Sequence, residues 1–195
     1  MRFRKIAMFF ALLGVTATLA TAKDTPEQKR EKTRKMANQT LKDLYKLEPR
    51  AQAAIQNSAG YAIFNNLNTN LFVLSTARGA GIAISKSKQE TFMKMISGGV
   101  GLGIGVKDYR VVFVFETDAA FNSFFTSGWS GETSADAAAK AGKSGGSATG
   151  AISVAPGVSV YQITKNGVAL QLTLQGTKYY KDDDLNKKDD APAKK

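Results

Sequence analysis

The sequence has no cysteine and no histidine. Without cysteine there is no disulfide, no thiolate metal site and no thiol nucleophile. Without histidine, the commonest general base, the commonest transition-metal ligand and the usual switch near neutral pH are missing. Negative charge is also scarce. Sixteen Asp and Glu stand against 27 Lys and Arg, a formal net charge of +11. Carboxylates, lysines, hydroxyls and backbone are the groups left for any chemistry. A length of 195 residues and a hydrophobic content of 43% suit one folded domain with its own core.

The N-terminus reads as an address. Arg2, Arg4 and Lys5 form a positive start, Ile6 to Val15 a short apolar run, and Ala20-Thr21-Ala22 an A-x-A cleavage site. Residues 1–22 are therefore expected to be a signal peptide, with a mature chain from Lys23. The run is shorter than the roughly 18–20 apolar residues of a membrane span. Three basic residues lie in this segment, which leaves +8 on the rest. Half of that excess falls in residues 23–50. The expected location is exported: periplasmic or secreted, in a bacterial envelope.

Thr25-Pro26-Glu27-Gln28 carries the signature of a capped helix start. Met36, Ala37, Leu41, Leu44 and Tyr45 then recur at helical spacing as one apolar stripe. A second helix is expected over Pro49 to Ser58, with Ala51, Ala54 and Ile55 inward and Gly60 beyond its end. After Gly60 the period becomes that of strands. Tyr61–Phe64, Leu71–Ala77, Gly81–Ser85, Thr91–Ile96 and Val100–Val106 read as short strands, with an asparagine-rich turn over Asn65–Asn70. Val111–Phe115 is continuously apolar, as in a central strand buried on both faces. Thr117-Asp118 caps a short helix carrying Phe121, Phe124 and Phe125. Residues 130–150 read as a weak strand, Thr133 to Ala141, and a loop, Gly142 to Gly150. Val158–Thr164 and Val168–Gln175 flank Lys165-Asn166-Gly167, a hairpin signal.

The resulting expectation is an α+β domain. It has two N-terminal helices, a curved, mostly antiparallel β-sheet or partial barrel, and one short internal helix. The chain divides into a signal peptide (1–22), a basic helical extension (23–40), the domain (41–180) and a disordered charged tail (181–195).

Motif matches fail for physical reasons. Gly142-Lys143-Ser144-Gly145-Gly146 fits G-x-S-x-G, but a nucleophile elbow needs a strand, a helix and a histidine base. Read as the end of a P-loop, the same segment lacks the upstream glycine, since Ala137 stands there. Asp182-Asp183-Asp184 lacks the alternate spacing and the turn glycine of a calcium loop, so it reads as a solvated charge run. No cofactor and no metal site are expected. Gly99, Gly101, Gly103 and Gly105 alternate with Val100, Leu102, Ile104 and Val106. In a strand this bares one face. The bare face accommodates either close packing of another element or a ligand lying on it.

Lys29, Arg30, Lys32, Arg34, Lys35, Lys42 and Lys46 accompany the apolar stripe of the first helix. A basic amphipathic helix either lies on an anionic membrane or packs on its own sheet with a solvated outer face. Nucleic acid attracts the same charge, but an exported chain without an RNA-binding aromatic motif is not expected to meet it.

Val111-Val112-Phe113-Val114-Phe115-Glu116-Thr117-Asp118, then Phe121, Phe124 and Ser127-Gly128-Trp129, resembles the SYLF domain family. Ala59-Gly60-Tyr61-Ala62-Ile63-Phe64 is similar to the beginning of that domain, and Asn166 to Lys178 to its closing hairpin. The resemblance covers roughly Leu41 to Tyr180. It departs at Asn65, where the family usually has proline, and in the plainer loop after Trp129. The resemblance implies a lipid-binding module and not an enzyme. Eukaryotic relatives bind phosphoinositides partly through a basic N-terminal helix, and some yeast relatives bind actin filaments. The expectation is peripheral binding of anionic phospholipid at a membrane surface. The seven basic residues would contact head groups, and Met36, Leu41 and Leu44 would supply apolar contact or core packing. Alternatives are an envelope structural or protein-partner module, and a carrier of a small lipid or apolar ligand whose cavity opens on the glycine face.

Overall fold

The computed structural model describes residues 23–71, 74–100, 108–130, 150–164, 167–169 and 177–187. Helix α1 spans Pro26–Leu47. Its start is the capping box: the Gln28 N–H donates to Thr25 Oγ1 at 3.2 Å, and the Thr25 N–H donates to Gln28 Oε1 at 2.9 Å. Helix α2, Arg50–Gln56, follows after two residues and buries Ala51 and Ile55. Helix α1 runs through residue 40 without a break, so the boundary expected there is not a structural one.

Nine strands are described: β1 Gly60–Leu71, β2 Leu74–Ser85, β3 Glu90–Val100, β4 Asp108–Phe115, β5 Trp129–Ser130, β6 Ile152–Ala155, β7 Val158–Thr164, β8 Gly167–Ala169 and β9 Thr177–Lys181. They form one curled, open sheet in the order β5-β9-β3-β2-β1-β4-β7-β6, with β8 also paired to β7. Every described pairing is antiparallel. The fold is α+β, as expected.

Helix α3, Asp118–Thr126, is capped by Thr117, whose side chain accepts the Ala120 N–H. It covers one face of the sheet. Phe64, Phe113, Phe115, Phe121, Phe124 and Tyr179 form an aromatic core there, and Trp129 packs against it. Ring centroids lie 4.7 Å apart for Phe64–Tyr179 and 4.9 Å for Phe115–Phe124. The opposite face buries Ile63, Ile82, Phe92, Val112, Val114 and Tyr161 beneath Ala37 and Leu44 of α1 and Ile55 of α2. Strand β4 feeds both cores, Phe113 and Phe115 to one side and Val112 and Val114 to the other. That is why it is apolar without alternation.

Three expectations are corrected. The asparagine-rich turn is strand: Asn65 and Asn66 pair with Arg110 and Tyr109 of β4, while Leu67 to Leu71 pair with β2. Pairing with one neighbouring strand and then the other overrides the local turn preference of asparagine. The two strands expected on either side of Gly79 are one, β2, because the chain passes close behind Gly79. A Cβ there would collide with the Asn65 carbonyl oxygen and with Met95. The tail is ordered through Lys187. Asp183–Asn186 is a short helix, α4, with Leu185 buried and Asp182 as its N-cap. The Phe92 N–H donates to Asn186 Oδ1 at 2.9 Å, and Asn186 Nδ2 donates back to the Phe92 carbonyl at 2.7 Å. These bonds extend the β3 edge and hold α4 against it.

The expected hairpin is present where it is described: Thr164 faces Gly167 and Ile163 faces Val168, with Gly167 at φ +116°. The expected signal peptide, the strand over Val100–Val106 beyond Val100, and the strand Thr133–Ala141 lie outside the described residues. So do the loop 142–149, the hairpin beyond 169 and the tail beyond 187.

Candidate functional site

Helix α1 sorts its side chains by face. Arg30, Thr33, Ala37, Thr40 and Leu44 are buried, at alternating spacings of three and four residues. This is the stripe that faces the sheet. Met36, Leu41 and Tyr45 flank it, half-buried against the same core. Apart from Leu47, exposed at its last position, the apolar groups of the helix are thus engaged in packing.

The basic residues divide by type. The two arginines are held by acceptors on other parts of the chain, Arg30 in the interior and Arg34 at the surface. Arg30 is 7% exposed. Its Nε donates to the Leu185 carbonyl at 2.9 Å, its Nη2 to the Lys187 carbonyl at 3.0 Å and its Nη1 to Glu27 at 3.0 Å. Arg34 donates to Glu90 at 2.9 Å and to Glu27 at 3.2 Å, and its guanidinium lies 5.2 Å from the centre of the Phe92 ring. The Glu90 carboxylate raises its pKa further. A planar fork suits several fixed acceptors at once, which an ammonium does not.

The five lysines are exposed. Lys32 pairs with Asp24 at 2.7 Å, and Lys35 with Glu31 at 2.8 Å. Lys29, Lys42 and Lys46 have no ion-pair partner among the described residues. Lys35, Lys42 and Lys46 are separated by seven and four residues, so they share one side of the helix, opposite Ala37, Thr40 and Leu44. They form a ridge about 16 Å long at 1.5 Å per residue. Among the described residues no helix is long and apolar enough to cross a membrane.

Of the glycines singled out in the sequence, Gly99 is in β3, paired with Ser75. Gly101, Gly103 and Gly105 lie outside the described residues. Asp182 of the acidic run is buried as the α4 cap and pairs with Lys94 at 2.8 Å. That carboxylate raises the pKa of Lys94. Among the described residues no group of three or more Asp, Glu, His or Cys is placed to hold a metal ion.

A cleft of about 690 Å³ lies between the N-terminal half of α1 and the sheet. Register builds its floor. Ile82 pairs with Phe92, and this row is covered by helix. The next row is Ala80, Lys94 and Tyr180, and the one beyond is Arg78, Ile96 and Lys178. These two rows extend past the cover. Lys29, Lys32 and Met36 of α1 form the facing wall. Beneath it the β1–β2 ladder opens between the Phe64–Gly81 and Leu67–Arg78 pairs, where Asn65 Oδ1 accepts the Ala80 N–H at 3.3 Å. Ile96 is 38% exposed and Tyr180 36%. Arg78, Lys94, Ile96 and Tyr180 were not identifiable as a set in the sequence. They are up to 102 positions apart, and only the strand register brings them together.

The family model described as Las17-binding protein actin regulator, Ysc84, matches residues 96–189. Over 151 residues the chain is 36% identical to beta cell expansion factor A of Aeromonas veronii. The alignment takes in 77% of this chain and 56% of that protein, so the chain spans little more than half the length of this relative.

Proposed function

The chain belongs to the SYLF (Ysc84) family, whose model it matches over residues 96–189, and from this premise we propose that it binds anionic phospholipid peripherally, without catalysis, in a bacterial envelope. The observation that carries the reading is the ridge of Lys35, Lys42 and Lys46, directed away from the sheet on a helix whose apolar side is already buried. Such a helix docks at the depth of lipid head groups and does not insert. Each lysine near an anionic surface contributes about 1 kcal/mol, and the attraction fades within a Debye length. Arg30 and Arg34 are engaged by partners within the chain, and Lys29 and Lys32 line the cleft, so the surface set under this reading is Lys35, Lys42 and Lys46.

The test is co-sedimentation of the purified chain with phosphatidylcholine vesicles, with and without phosphatidylglycerol, at rising salt. Pelleting with the anionic vesicles alone, weakening as salt rises, supports the reading. Equal pelleting with both, or with neither, overturns it.

A second reading, a protein-partner module, is favoured by the family model's description, which names Las17 binding and actin regulation. Here it would act on an envelope partner. Capture of a partner that survives neutralisation of the three ridge lysines but depends on the sheet would favour it.

A further inference from the structure

We infer that the cleft between α1 and the sheet binds one molecule of a single-chain anionic amphiphile of the lysophospholipid class. The inference rests on the lipid-binding reading above and assigns it a second, separate site. The cleft combines the two things such a molecule needs. Its floor is part apolar, and it contains two of the three large apolar side chains left exposed among the described residues, Ile96 and Tyr180. Leu47 is the third and lies at the far end of α1. Exposed apolar groups gathered in one concavity mark a binding surface, whereas scattered ones do not. The volume of about 690 Å³ is within the range of small-molecule sites.

Cationic groups flank that apolar part: Lys29 and Lys32 on the α1 wall, Arg78 and Lys94 on the sheet. Two of them are already matched by carboxylates, Lys32 by Asp24 and Lys94 by Asp182. Lys29 and Arg78 are unmatched among the described residues. They leave an excess of positive charge directly beside Ile96 and Tyr180. A phosphate monoanion or diester satisfies both groups, while its single acyl chain covers Met36, Ala80, Ile96 and Tyr180. A neutral apolar ligand would leave the cations unused. A divalent cation would find both carboxylates occupied by lysine. The Asp182–Lys94 pair also fixes the far wall, because Asp182 is held as the cap of α4.

Calorimetric titration of the full chain with lysophosphatidylglycerol, kept below its micelle-forming concentration, tests the site. The expected result is one saturable site per chain. Lysophosphatidylcholine should bind at least tenfold more weakly, and glycerol 3-phosphate, which has the phosphate without the chain, should show no saturation. Arg78→Gln should weaken lysophosphatidylglycerol at least tenfold and Ile96→Ser severalfold, with unchanged urea midpoints showing that both fold. Lys86→Gln, on the exposed turn after β2, should leave binding within twofold. No saturable binding, equal binding of glycerol 3-phosphate, or binding unaffected by both cleft variants would overturn the inference. Vesicle pelleting run in parallel separates the two readings. If anionic vesicles are still bound, the cleft proposal fails alone; if they are not, the lipid-binding reading fails with it.

Discussion

From the second turn of α1, Arg30 donates to the carbonyl oxygens of Leu185 and Lys187, at the other end of the described chain. Those carbonyls belong to α4 and the residue after it, where a short helix leaves its last acceptors without intrahelical partners. Arg30→Ala strands the buried Leu185 carbonyl and frees the partly buried Lys187 one, and should cost about 2–3 kcal/mol, the usual range for hydrogen bonds to a charged group. Urea denaturation measures it, and Arg30→Lys should recover only part of the loss. An unchanged midpoint would contradict this role. Asp43 is a second such residue. Arg110 Nη1 lies 2.7 Å from its carboxylate and holds its pKa below the ordinary value of 3.8. The folded pKa is the lower one, so the pair's contribution is complete above the unfolded value. It is lost as pH falls from about 4 through the folded value. Asp43→Asn should flatten that part of the acid limb when urea midpoints are followed with pH. At this scale the sequence was only partly legible. The density of Lys and Arg in residues 29–35 was plain, but which of them point inward is decided by acceptors on β3 and α4, more than fifty positions away.

Among the elements, α3 was legible to its cap because its signals are local: Thr117 before the first turn and phenylalanines at helical spacing. Strand β4 was legible for the same kind of reason, since an uninterrupted apolar run implies two buried faces. Phe124 shows what their contact is worth. It is almost fully buried and packs 4.9 Å from the Phe115 ring and 5.0 Å from Phe113. Phe124→Ala should destabilise by about 3–5 kcal/mol, read as a lowered urea midpoint. A cost under 1 kcal/mol would mean that α3 does not close this core. The continuation of strand β1 beyond Phe64 and helix α4 were not legible. Four asparagines in six residues carry turn propensity, yet pairing with β4 at Asn65 and Asn66 and with β2 at Asn68 and Asn70 keeps them extended. An Asp/Lys-rich tail has the composition of disorder. Leu185, the one apolar residue among residues 181–187, finds a place in the core under Arg30.

For the whole molecule, the arrangement divides labour between the faces of the sheet. The α3 face is closed by aromatic packing. The α1 face is closed over Ile82 and Phe92 and open over Ile96 and Tyr180. The basic excess read from the sequence therefore serves two structural ends. Arginines lock α1 to α4 and β3, and lysines remain at the surface. Removing Lys35, Lys42 and Lys46 together should leave stability within about 0.5 kcal/mol, because none of them enters the core. The same change should remove about 3 kcal/mol of attraction to an anionic membrane, roughly a hundredfold in affinity. The decisive measurement is co-sedimentation of the parent chain and the Lys35→Gln/Lys42→Gln/Lys46→Gln variant with phosphatidylglycerol-containing vesicles over a series of salt concentrations. The account predicts strong, salt-sensitive pelleting of the parent and its near loss in an equally stable variant. Equal pelleting of the two at every salt concentration would contradict it.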